Sequence, residues 1–362
     1  MVIDENKIIY IAKSDGKGVE NKIKGFCNAA AHAGYNAEFV IESTPGLAGI
    51  RRQICKMISS DAKYIVMRSP TRDSFFFIFC FIIIRLQGKV LIIDQPSPAS
   101  TYVNEVNTIE RSFLNKFAKK LLTYIGCPFT FMFATRIVQY GDESTFFRFF
   151  SGNKILLIGN GIDVERISLR KKEYPDGKEQ LSLVGVSAQI EDWHGFDRVV
   201  CAIGKWKKMG KKPNVTFNIV GESSTPQGQN IKKLVKKFGI EDNVKFCGFQ
   251  SSDGLYEYYS KASLGVASLG LFRNGLSTAS VLKAREYCLA GIPFIASGID
   301  PDFPDSIPFR FVVSHDETID DIIDVFQNYA ERRKSFTDEN IRQYAVERLS
   351  FDSKFKEIMR GL

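Results

Sequence analysis

Short apolar runs alternate with helical segments along the whole chain, and this alternation constrains the fold more than any other feature. The first half opens with a strand-like run at 7–12, a polar turn that contains Gly16 and Gly18, and a helical pattern at 19–32. Further strand-like runs lie at 37–41, 64–67, 90–93, 136–139 and 154–158. Strand, helix and strand in this order are typical of a parallel α/β sheet. The first half is therefore predicted to be a doubly wound, Rossmann-like domain.

The same alternation restarts after a charged segment at 166–180 that contains Pro175 and Gly177, a composition typical of a linker. Strands are predicted at 181–186, 215–220, 243–247, 264–267, 294–296 and 309–313, and helices at 195–209, 230–238, 254–261, 280–290 and 320–334. A chain of 362 residues is long enough for two domains of about 150 residues each. We expect an N-terminal domain at 1–170, a C-terminal domain at 171–340, and a last helix at 341–362 that crosses back to the first domain.

Several functional classes are disfavoured by composition. The seven cysteines are widely separated with no C-x-x-C pair, and the three histidines have no ligand spacing, so we predict reduced thiols and no metal site. The N-terminus lacks the order of a signal peptide. The most apolar stretch, Phe75 to Ile84, is about half the length of a membrane-spanning helix. These features predict a cytoplasmic protein.

The formal net charge is +8, and the whole positive excess lies in the N-terminal half. The bases Arg111, Lys116, Lys119 and Lys120 are interleaved there with apolar residues that recur near every fourth position from Phe113 to Ile125. Such a helix can rest on an anionic membrane, which would give a peripheral protein at the inner face. An internal helix with a basic outer face fits the same pattern. No nucleic-acid signature accompanies the charge.

The most informative segment runs from Leu269 to Ala296. A strand ends before a loop that contains Arg273 and Gly275, and a helix is expected to begin around 277–280, where Ser and Thr can cap free amides. A helix start after a glycine suits a diphosphate, because it offers unpaired amides and the positive end of the helix dipole. Lys283 and Glu286 are three residues apart and share a helix face, so Glu286 is placed to accept ribose hydroxyls. An exposed Lys–Glu pair on an ordinary helix has the same spacing.

This segment resembles the C-terminal signature of GT-B glycosyltransferases of retaining family 4, in which a glycine-containing loop leads into a helix with E-x7-E. Four further matches occur in the family's order: the interdomain sequence at 159–163, the G…K-G-x-D sequence at 184–197, the sequence around Gly221 at 219–222, and the sequence at 244–248. The resemblance implies a GT-B fold, in which two Rossmann-like doubly wound domains face each other across a cleft. It implies that the N-terminal domain at 1–170 binds the acceptor and that the C-terminal domain at 171–340 binds the nucleotide sugar.

The family resemblance also assigns roles to residues of this chain. Glu286 matches the glutamate that holds the nucleotide ribose. The loop at 275–278 matches the diphosphate-binding loop, and Gly16 and Gly18 match the glycine turn near the donor sugar. The residues thus implied to bind the donor nucleotide are Glu286, Gly275, Leu276, Ser277, Thr278, Phe249, Gln250, Gly221 and His194.

The departures from the family concern catalysis. The first glutamate of E-x7-E falls on Thr278, and the family's Arg and Lys fall near Ser187 or Ala188 and on His194, which carries charge only when protonated. Arg273 and Lys283 are the nearest cationic substitutes. Asp94 follows a predicted strand and is a candidate polar contact to the reacting sugars. The residues predicted nearest the chemistry are Asp94, Arg273, Lys283 and Thr278.

We therefore expect a metal-independent, retaining hexosyltransferase that needs no cofactor and uses a UDP- or GDP-linked sugar. Its expected acceptor is a glycan or a lipid-linked sugar, in cell-surface polysaccharide synthesis. A catalytically weakened, GT-B-like accessory protein that binds nucleotide or glycan is the alternative, because the first glutamate and the Arg/Lys pair are missing. A nucleotide-sugar epimerase on the same fold is a third, weaker interpretation.

Overall fold

The computed structural model describes residues 2–13, 16–109, 112–170 and 179–362. The chain forms two compact units. Unit 1 contains Met1–Gly161 and Phe351–Leu362, and unit 2 contains Ile162–Ser350. Residues 171–178 of the predicted linker lie outside the described residues, as do residues 14 and 15 of the glycine turn and Arg111 of the basic helix.

Unit 1 is built on a six-stranded parallel sheet in the order β2-β1-β3-β4-β5-β6. Its strands are β1 Asp4–Lys13, β2 Asn36–Glu42, β3 Ala62–Arg68, β4 Val90–Gln95, β5 Arg136–Gln139 and β6 Ile155–Leu157. Side chains alternate between the two faces of the sheet, so Ile9 and Ile11 of β1 enter one core while Ile8 and Tyr10 enter the other. Burial on both faces is the physical reason for the near-continuous apolar runs in the sequence.

The helices of unit 1 cover both faces of this sheet. They are α1 Lys17–His32, α2 Gly46–Ser59, α3 Ile78–Leu86, α4 Ala99–Ile109, α5 Phe113–Phe133 and α6 Thr145–Ser151, with a 3-10 turn at Thr71–Phe77. Helix α5 approaches the 3-10 turn closely, because a Cβ on Gly126 would lie 2.4 Å from the backbone nitrogen of Phe75. A glycine is required at that crossing.

Unit 2 contains a second six-stranded parallel sheet, in the order β12-β11-β10-β7-β8-β9. Its strands are β7 Gln180–Gln189, β8 Asn214–Glu222, β9 Val244–Phe246, β10 Leu264–Val266, β11 Phe294–Ser297 and β12 Arg310–Val313. This is the order of the dinucleotide-binding Rossmann sheet, and the direction of winding reverses between β7 and β10. Ligands of such sheets bind at the carboxyl ends of the strands next to that switch point.

The helices of unit 2 pack around one continuous apolar core. They are α7 Phe196–Lys208, α8 Pro226–Phe238, α9 Ser252–Lys261, α10 Leu282–Ala290, α11 Asp320–Arg332 and α12 Asp338–Tyr344. Every strand expected from the apolar runs overlaps an observed strand, with ends that differ by a few residues. The predicted pair of doubly wound α/β sheets is confirmed.

The C-terminal tract is broken where the sequence predicted one last helix at 341–362. A π-turn at Ala345–Leu349 follows α12, Ser350 is extended, and α13 runs from Phe351 to Met359. Helix α13 belongs to unit 1, where the Phe351 ring occupies the space next to Gly25 and Gly161. The C-terminus is fastened there by Arg136, whose guanidinium donates to the Arg360 carbonyl at 2.8 Å.

One surface of unit 1, which we call the apolar basic face, exposes large apolar side chains. The 3-10 turn at Thr71–Phe77 and helices α3, α5 and α6 form it. Exposure reaches 79% at Phe79, 78% at Phe113 and 80% at Phe149. The other apolar members are Phe75, Phe76, Ile83, Leu86, Leu114, Phe117, Leu121, Tyr124, Ile125, Phe129, Met132 and Phe146.

Helix α5 turns its apolar stripe outward, while Lys116, Lys119 and Lys120 are partly covered. The alternative of an internal helix with a basic outer face does not describe this arrangement. Among the described residues, no helix is long and apolar enough to cross a membrane.

Candidate functional site

The loops that follow β7 and β10 are joined to each other at the switch point of unit 2. The Leu269 amide donates to the His194 carbonyl at 3.0 Å, and the Gly270 amide donates to the Trp193 carbonyl at 3.2 Å. Gly195 lies between the loops with a φ of 67°, and a Cβ there would be 2.7 Å from Leu269. Only glycine fits both the left-handed backbone and the close approach. The site is therefore built on a rigid pair of loops.

Glu286 lies on α10 and lines a cavity of about 350 Å³. The other lining residues are Arg166, Ile167, Ser168, Leu255, Tyr256 and Tyr259. The Tyr259 hydroxyl donates to Oε2 of Glu286 at 3.4 Å, and Nη1 of Arg166 lies 3.9 Å from Oε1. Burial raises the pKa of Glu286, while the charge of Arg166 and the Tyr259 hydroxyl act in the opposite direction. Both contacts are longer than charge-assisted hydrogen bonds usually are, so the carboxylate keeps acceptor capacity toward the cavity.

Lys283 lies one turn before Glu286, and its ammonium is buried without a hydrogen-bond partner among the described residues. Its Nζ lies 5.0 Å from the ring centroid of Phe196 and 5.5 Å from that of Trp193. Burial lowers the pKa of Lys283 to about 7, although the charge of Glu286 acts to raise it. Lys283 is buried, the Glu286 side chain is 18% exposed, and the two form no ion pair, so the interpretation as an exposed Lys–Glu pair does not apply.

His194 carries no charge in this environment. It is buried, and its Nδ1 accepts a hydrogen bond of 3.0 Å from the Glu191 amide. Burial, reinforced by the charge of Lys283, lowers the pKa of His194 to about 2. The ring lies between Trp193 and Phe196, with centroid distances of 3.8 and 5.3 Å. His194 can offer an Nε2–H donor, but it does not supply the positive charge that sequence reasoning allowed for its protonated form.

Arg273 is engaged by two carboxylates. Its guanidinium donates to both oxygens of Asp197, at 3.0 and 2.8 Å, and to both oxygens of Glu317, at 2.9 and 2.6 Å. These bonds raise the pKa of Arg273 still further above its ordinary value. Its charge is balanced within the protein, which leaves Lys283 as the better cation for a diphosphate.

The loop at 275–278 differs in detail from the expected helix start. Gly275, with a φ of 68°, closes a 3-10 turn at Leu271–Asn274, and its amide donates to the Phe272 carbonyl at 2.9 Å. The Leu276 amide donates to the Leu271 carbonyl at 3.2 Å. These two predicted diphosphate donors therefore already have partners.

Helix α10 begins at Leu282 after Val281, so no Ser or Thr side chain caps it. The expected helix start at 277–280 and its Ser or Thr cap are wrong. Thr278 is buried and forms a β-bridge with Ile299. The Ile299 amide donates to the Ser277 carbonyl at 2.8 Å, which holds this segment extended in place of a first helical turn.

Three other predicted donor residues lie at the end of β8 and after β9. Gly221 has a φ of 146°, and a Cβ there would be 2.2 Å from the Ser187 carbonyl oxygen, so it allows two strand ends to approach. Phe249 is exposed, and the Gln250 side chain donates to the Cys247 carbonyl at 2.9 Å. None of the three lines the Glu286 cavity.

Two hydroxyls at the carboxyl edge of the sheet were missed in the sequence. The Oγ atoms of Ser187 and Ser268 are buried and have no hydrogen-bond partner among the described residues. Together with the Lys283 ammonium they are three orphaned polar groups, which buried positions rarely tolerate. A serine in an apolar strand end gives no sequence signal of this kind.

In unit 1, Asp94 is enclosed by donors. It accepts hydrogen bonds from the hydroxyls of Tyr10 and Tyr140, at 2.5 and 2.8 Å, and from the Lys22 ammonium at 2.9 Å. Burial acts to raise the pKa of Asp94, but the charge of Lys22 and these hydrogen bonds outweigh it and hold the pKa below its usual range. The network explains why a carboxylate is tolerated at the end of a central strand.

The glycine turn of unit 1 precedes α1. Gly16 has a φ of 110°, and its carbonyl accepts hydrogen bonds from the amides of Val19 and Glu20 at 3.1 and 3.3 Å. A Cβ on Gly18 would meet open space. The positive φ of Gly16 thus favours glycine at that position, whereas packing does not require glycine at position 18.

Sequence comparison matches residues 166–340 to the family Glycosyl transferases group 1. These residues include the two joined loops, the Glu286 cavity and Lys283. The match covers nearly half of the chain and assigns this segment to the glycosyltransferases of group 1.

Three solved structures show how the whole chain relates to other folds. The chain is similar to HepE of Anabaena, crystallised with UDP, at 14% identity and a TM-score of 0.64, over 98% of this chain and 100% of that one. It is similar to the sucrose-phosphate synthase of Thermosynechococcus elongatus at 14% identity and a TM-score of 0.60, over 97% and 96% of the two chains. A glycosyltransferase from Rickettsia africae gives 12% identity and a TM-score of 0.63, over 99% and 100%.

These likenesses concern the fold, which is GT-B. No curated protein sequence matches the chain. The predicted fold class and the resemblance to GT-B glycosyltransferases are confirmed.

Proposed function

We propose that this glycosyltransferase transfers a hexosyl group from a UDP- or GDP-linked sugar, and that unit 2 binds the nucleotide. The observation that carries the proposal is the pair formed by Lys283 and Glu286 on α10. A buried ammonium without a counterion lies one helical turn from a carboxylate that faces an open cavity. A nucleoside diphosphate supplies what each lacks: anionic oxygens for Lys283 and ribose hydroxyls for Glu286.

Electrostatics favours a diphosphate at Lys283. A buried charge without a partner is costly, and an anion that enters the site removes that cost. The apolar walls formed by Trp193 and Phe196 keep the local dielectric low, which strengthens the attraction. The Oγ atoms of Ser187 and Ser268 and the Nε2–H of His194 provide uncharged donors at the same edge of the sheet. The joined loops also fix their positions before the ligand arrives.

The proposed reaction replaces one bond of the anomeric carbon by another. The bond to the diphosphate oxygen breaks, and its electron pair leaves with the diphosphate. An acceptor hydroxyl oxygen bonds to the anomeric carbon, and its proton passes to the diphosphate. Lys283 stabilises the charge that develops on the leaving group, which is the usual largest contribution to such catalysis.

We further propose that transfer retains the anomeric configuration and requires no metal ion, as the resemblance to family 4 implies. Solved structures of HepE contain UDP or UDP-glucose, which supports a uridine nucleotide as the first donor to test. A lipopolysaccharide outer core galactosyltransferase, WaaB, is a similar structure at 12% identity. We propose cell-surface polysaccharide synthesis as the setting.

The apolar basic face supports a peripheral contact between unit 1 and an anionic bilayer. Helices α3, α5 and α6 contain no Asp or Glu, but they contain Arg85, Lys116, Lys119, Lys120 and Arg148. A contiguous exposed apolar patch marks an interaction surface, and cations without carboxylates select an anionic partner. We propose that this face brings the enzyme to a lipid-linked acceptor.

An accessory protein that binds nucleotide without transferring sugar is the second candidate. It is favoured by Thr278 in place of the first glutamate, by the uncharged His194, and by the carboxylates that neutralise Arg273. In that case a nucleotide would bind, but neither hydrolysis nor transfer of its sugar would follow.

Calorimetric titration with UDP, GDP and ADP separately tests the proposal. We expect one of them to bind, and that affinity to fall in Lys283→Met. If no nucleotide binds, the transferase function is wrong. Slow hydrolysis of the matching nucleotide sugar, lost in Glu286→Ala, then distinguishes the enzyme from the accessory protein. Equal hydrolysis by the wild type and this variant would remove the site assignment.

A further inference from the structure

His315 lies in the loop that follows β12, and its side chain contacts the loop at 275–278. Nε2 of His315 is 2.8 Å from the Leu276 carbonyl oxygen. Because a carbonyl oxygen can only accept, Nε2 carries a proton and donates this hydrogen bond. The His315 ring also meets the Phe272 ring edge to face, with centroids 5.6 Å apart. This side chain therefore connects two loops of unit 2 that are distant in the sequence.

Packing alone does not account for a histidine at this position. Nδ1 of His315 is buried and has no hydrogen-bond partner among the described residues. Gly298 lies against this side of the ring, where a Cβ would be 3.1 Å from Nδ1. A buried polar atom without a partner destabilises the folded state, so an apolar ring of similar size would be favoured if only packing mattered. The hydrogen bond from Nε2 is what distinguishes histidine from such a ring.

The loop that contains His315 is fixed at both of its ends. Arg198 of α7 is buried, and its guanidinium donates to the carbonyls of Ser314 and Thr318 at 3.1 and 2.5 Å. The other terminal nitrogen of Arg198 donates to the Leu269 carbonyl at 2.5 Å. The position of His315 is therefore set by the packing of unit 2 and not only by its own contact with the neighbouring loop.

The contact with His315 fixes the peptide group between Leu276 and Ser277. In a planar trans peptide the C=O and the N–H point in opposite directions. A donor bonded to the Leu276 oxygen therefore directs the Ser277 N–H away from His315. On its other side, the Ser277 carbonyl accepts a hydrogen bond of 2.8 Å from the Ile299 amide. Both peptide groups that flank the Ser277 Cα are thus held, and the 276–277 peptide can rotate only if the bond to His315 breaks.

The Ser277 amide offers a hydrogen bond to a ligand. It has no partner among the described residues, and Ser277 is exposed. The amides of Gly275 and Leu276, by contrast, are bonded to carbonyls of the 3-10 turn. A backbone N–H that donates to an oxyanion forms a charge-assisted hydrogen bond. Because a carbonyl that accepts a hydrogen bond polarises its own peptide group, His315 also makes the Ser277 N–H a stronger donor.

We infer that His315 is a positioning residue for the diphosphate of the donor: through the Leu276 carbonyl it directs the Ser277 amide toward a diphosphate oxygen. The inference rests on the nucleotide binding proposed above. The ribose is assigned to Glu286 and not to this loop. A change at His315 therefore weakens ligands that contain a diphosphate and leaves the affinity for a nucleoside unchanged.

Calorimetry on the full chain tests this role with three probes: the nucleoside diphosphate that binds among UDP, GDP and ADP, its nucleoside, and inorganic pyrophosphate. His315→Phe keeps a ring of similar size but has no donor. We expect it to bind the nucleoside diphosphate and pyrophosphate about tenfold more weakly than the wild type, as the loss of one oriented hydrogen bond to an anion implies. The nucleoside should bind both proteins alike.

Two amide variants provide the matched comparison. His315→Gln places an amide nitrogen near the position of Nε2 and is expected to restore most of the affinity for the nucleoside diphosphate. His315→Asn carries the same amide on a shorter side chain that does not reach the Leu276 carbonyl, so it should bind like His315→Phe. If His315→Phe does not fold, this pair answers the same question. His32→Phe, an exposed histidine of unit 1 that pairs with Asp352, is the control.

NMR on protein with 15N-labelled serine separates positioning from a general loss of structure. The Ser277 amide proton of the wild type is expected to shift downfield when the nucleoside diphosphate binds, because it then donates to an anion. The shift should be smaller in His315→Phe at saturating ligand and should return in His315→Gln. A wild type that binds the ligand with no change at the Ser277 amide contradicts the inference.

Three results of the titrations would also overturn it: His315→Phe binds the nucleoside diphosphate as tightly as the wild type, the Gln and Asn variants bind it alike, or the nucleoside loses as much affinity as the diphosphate. The proposed function is tested separately by the wild type. If the wild type binds pyrophosphate but no nucleotide, and His315→Phe weakens that binding, the nucleotide site is refuted and the role of His315 stands. If every variant binds the nucleotide equally, the reverse holds. Binding of neither ligand refutes both.

Discussion

The Tyr259 hydroxyl reaches Oε2 of Glu286 at 3.4 Å, which is too long to satisfy a carboxylate. The other protein contact of Glu286, with Arg166, is longer still. These weak contacts leave the carboxylate, at the wall of a cavity, able to accept hydrogen bonds from the two adjacent hydroxyls of the proposed ligand. The ribose of a nucleotide has this geometry, whereas a structural carboxylate such as Asp94 is enclosed by short hydrogen bonds.

We expect Glu286→Gln to lower the affinity for UDP about tenfold to a hundredfold, because hydrogen bonds to a charged group contribute about 1.5–3 kcal/mol. Calorimetry with UDP and with 2′,3′-dideoxy-UDP checks the mechanism. The wild type should lose affinity for the dideoxy nucleotide, and the variant should bind both alike. Glu257→Gln, an exposed glutamate paired with Lys261 on α9, is the control. A dideoxy nucleotide that binds the wild type as well as UDP contradicts the ribose contact.

The titration of Lys283 predicts how nucleotide affinity depends on pH. Burial lowers the pKa of Lys283 to about 7, so at pH 7–8 much of the nucleotide-free protein has an uncharged amine. A diphosphate favours the ammonium, so binding takes up a proton in this range and affinity falls as pH rises above about 7. Titration with UDP in buffers of different ionisation enthalpy measures the uptake. Lys283→Met should abolish it, and an unchanged uptake in this variant would contradict the assignment.

The titration of Lys283 also predicts how the stability of the nucleotide-free protein depends on pH, and here the dependence has the opposite sign. Lys283 in the unfolded chain keeps its proton up to about pH 10, so between pH 7 and 10 the unfolded state binds more protons than the folded state. The stability of the nucleotide-free protein therefore rises with pH across this window. Below pH 7 the amine of Lys283 is charged in the folded and the unfolded state, and its destabilising effect on the folded state is then largest. Lys283→Met should stabilise the protein at pH 7 by about 1 kcal/mol or more, or roughly 2–4 °C in melting temperature. Thermal unfolding measures this, and the exposed Lys245→Met is the control.

The sequence was sufficient to predict both sheets, because strands buried on two faces are apolar along their whole length. It also predicted that Glu286 lies on a helix that ends before Gly291 and Pro293. The partners of Arg273 were not predictable, because Asp197 and Glu317 approach it from distant parts of the chain. The burial of Lys283 depends likewise on Trp193 and Phe196, which come from another loop. Local patterns thus predict helices and strands, while the charge balance around their side chains depends on tertiary packing.

The apolar basic face predicts binding to anionic vesicles. Phe117→Ser with Leu121→Ser should weaken binding to vesicles that contain phosphatidylglycerol about tenfold or more, since each buried apolar side chain contributes about 1.5–3 kcal/mol. Lys116→Gln with Lys120→Gln should weaken vesicle binding by roughly 1 kcal/mol per charge removed. Added salt should likewise weaken vesicle binding of the wild type. Co-sedimentation measures both effects. Phe249→Ser, an exposed phenylalanine of unit 2, should bind like the wild type. Equal binding to neutral vesicles would contradict the role of charge.

The effect of Asp94→Asn on stability distinguishes a structural role of this carboxylate from a catalytic one. It lies at the end of β4, where Tyr10, Tyr140 and Lys22 enclose it. Asp94→Asn leaves the Lys22 ammonium, whose side chain is 20% exposed, without this counterion, which should destabilise the protein by about 3 kcal/mol. Because the pKa of Asp94 is held below its ordinary value, its stabilising contribution is present above about pH 4 and is lost as pH falls further.

Lys22→Met with Asp94→Asn removes both charges and should recover much of that stability, since neither variant leaves an isolated ion. Urea unfolding of the single and double variants measures the coupling between the two groups. Asp163→Asn, whose side chain accepts only a local bond from the Glu165 amide, is the control. If Asp94→Asn were as stable as the wild type yet lost transferase activity with a bound donor, Asp94 would contact the reacting sugars as the sequence suggested. A destabilised variant whose remaining folded fraction keeps its turnover identifies a structural role.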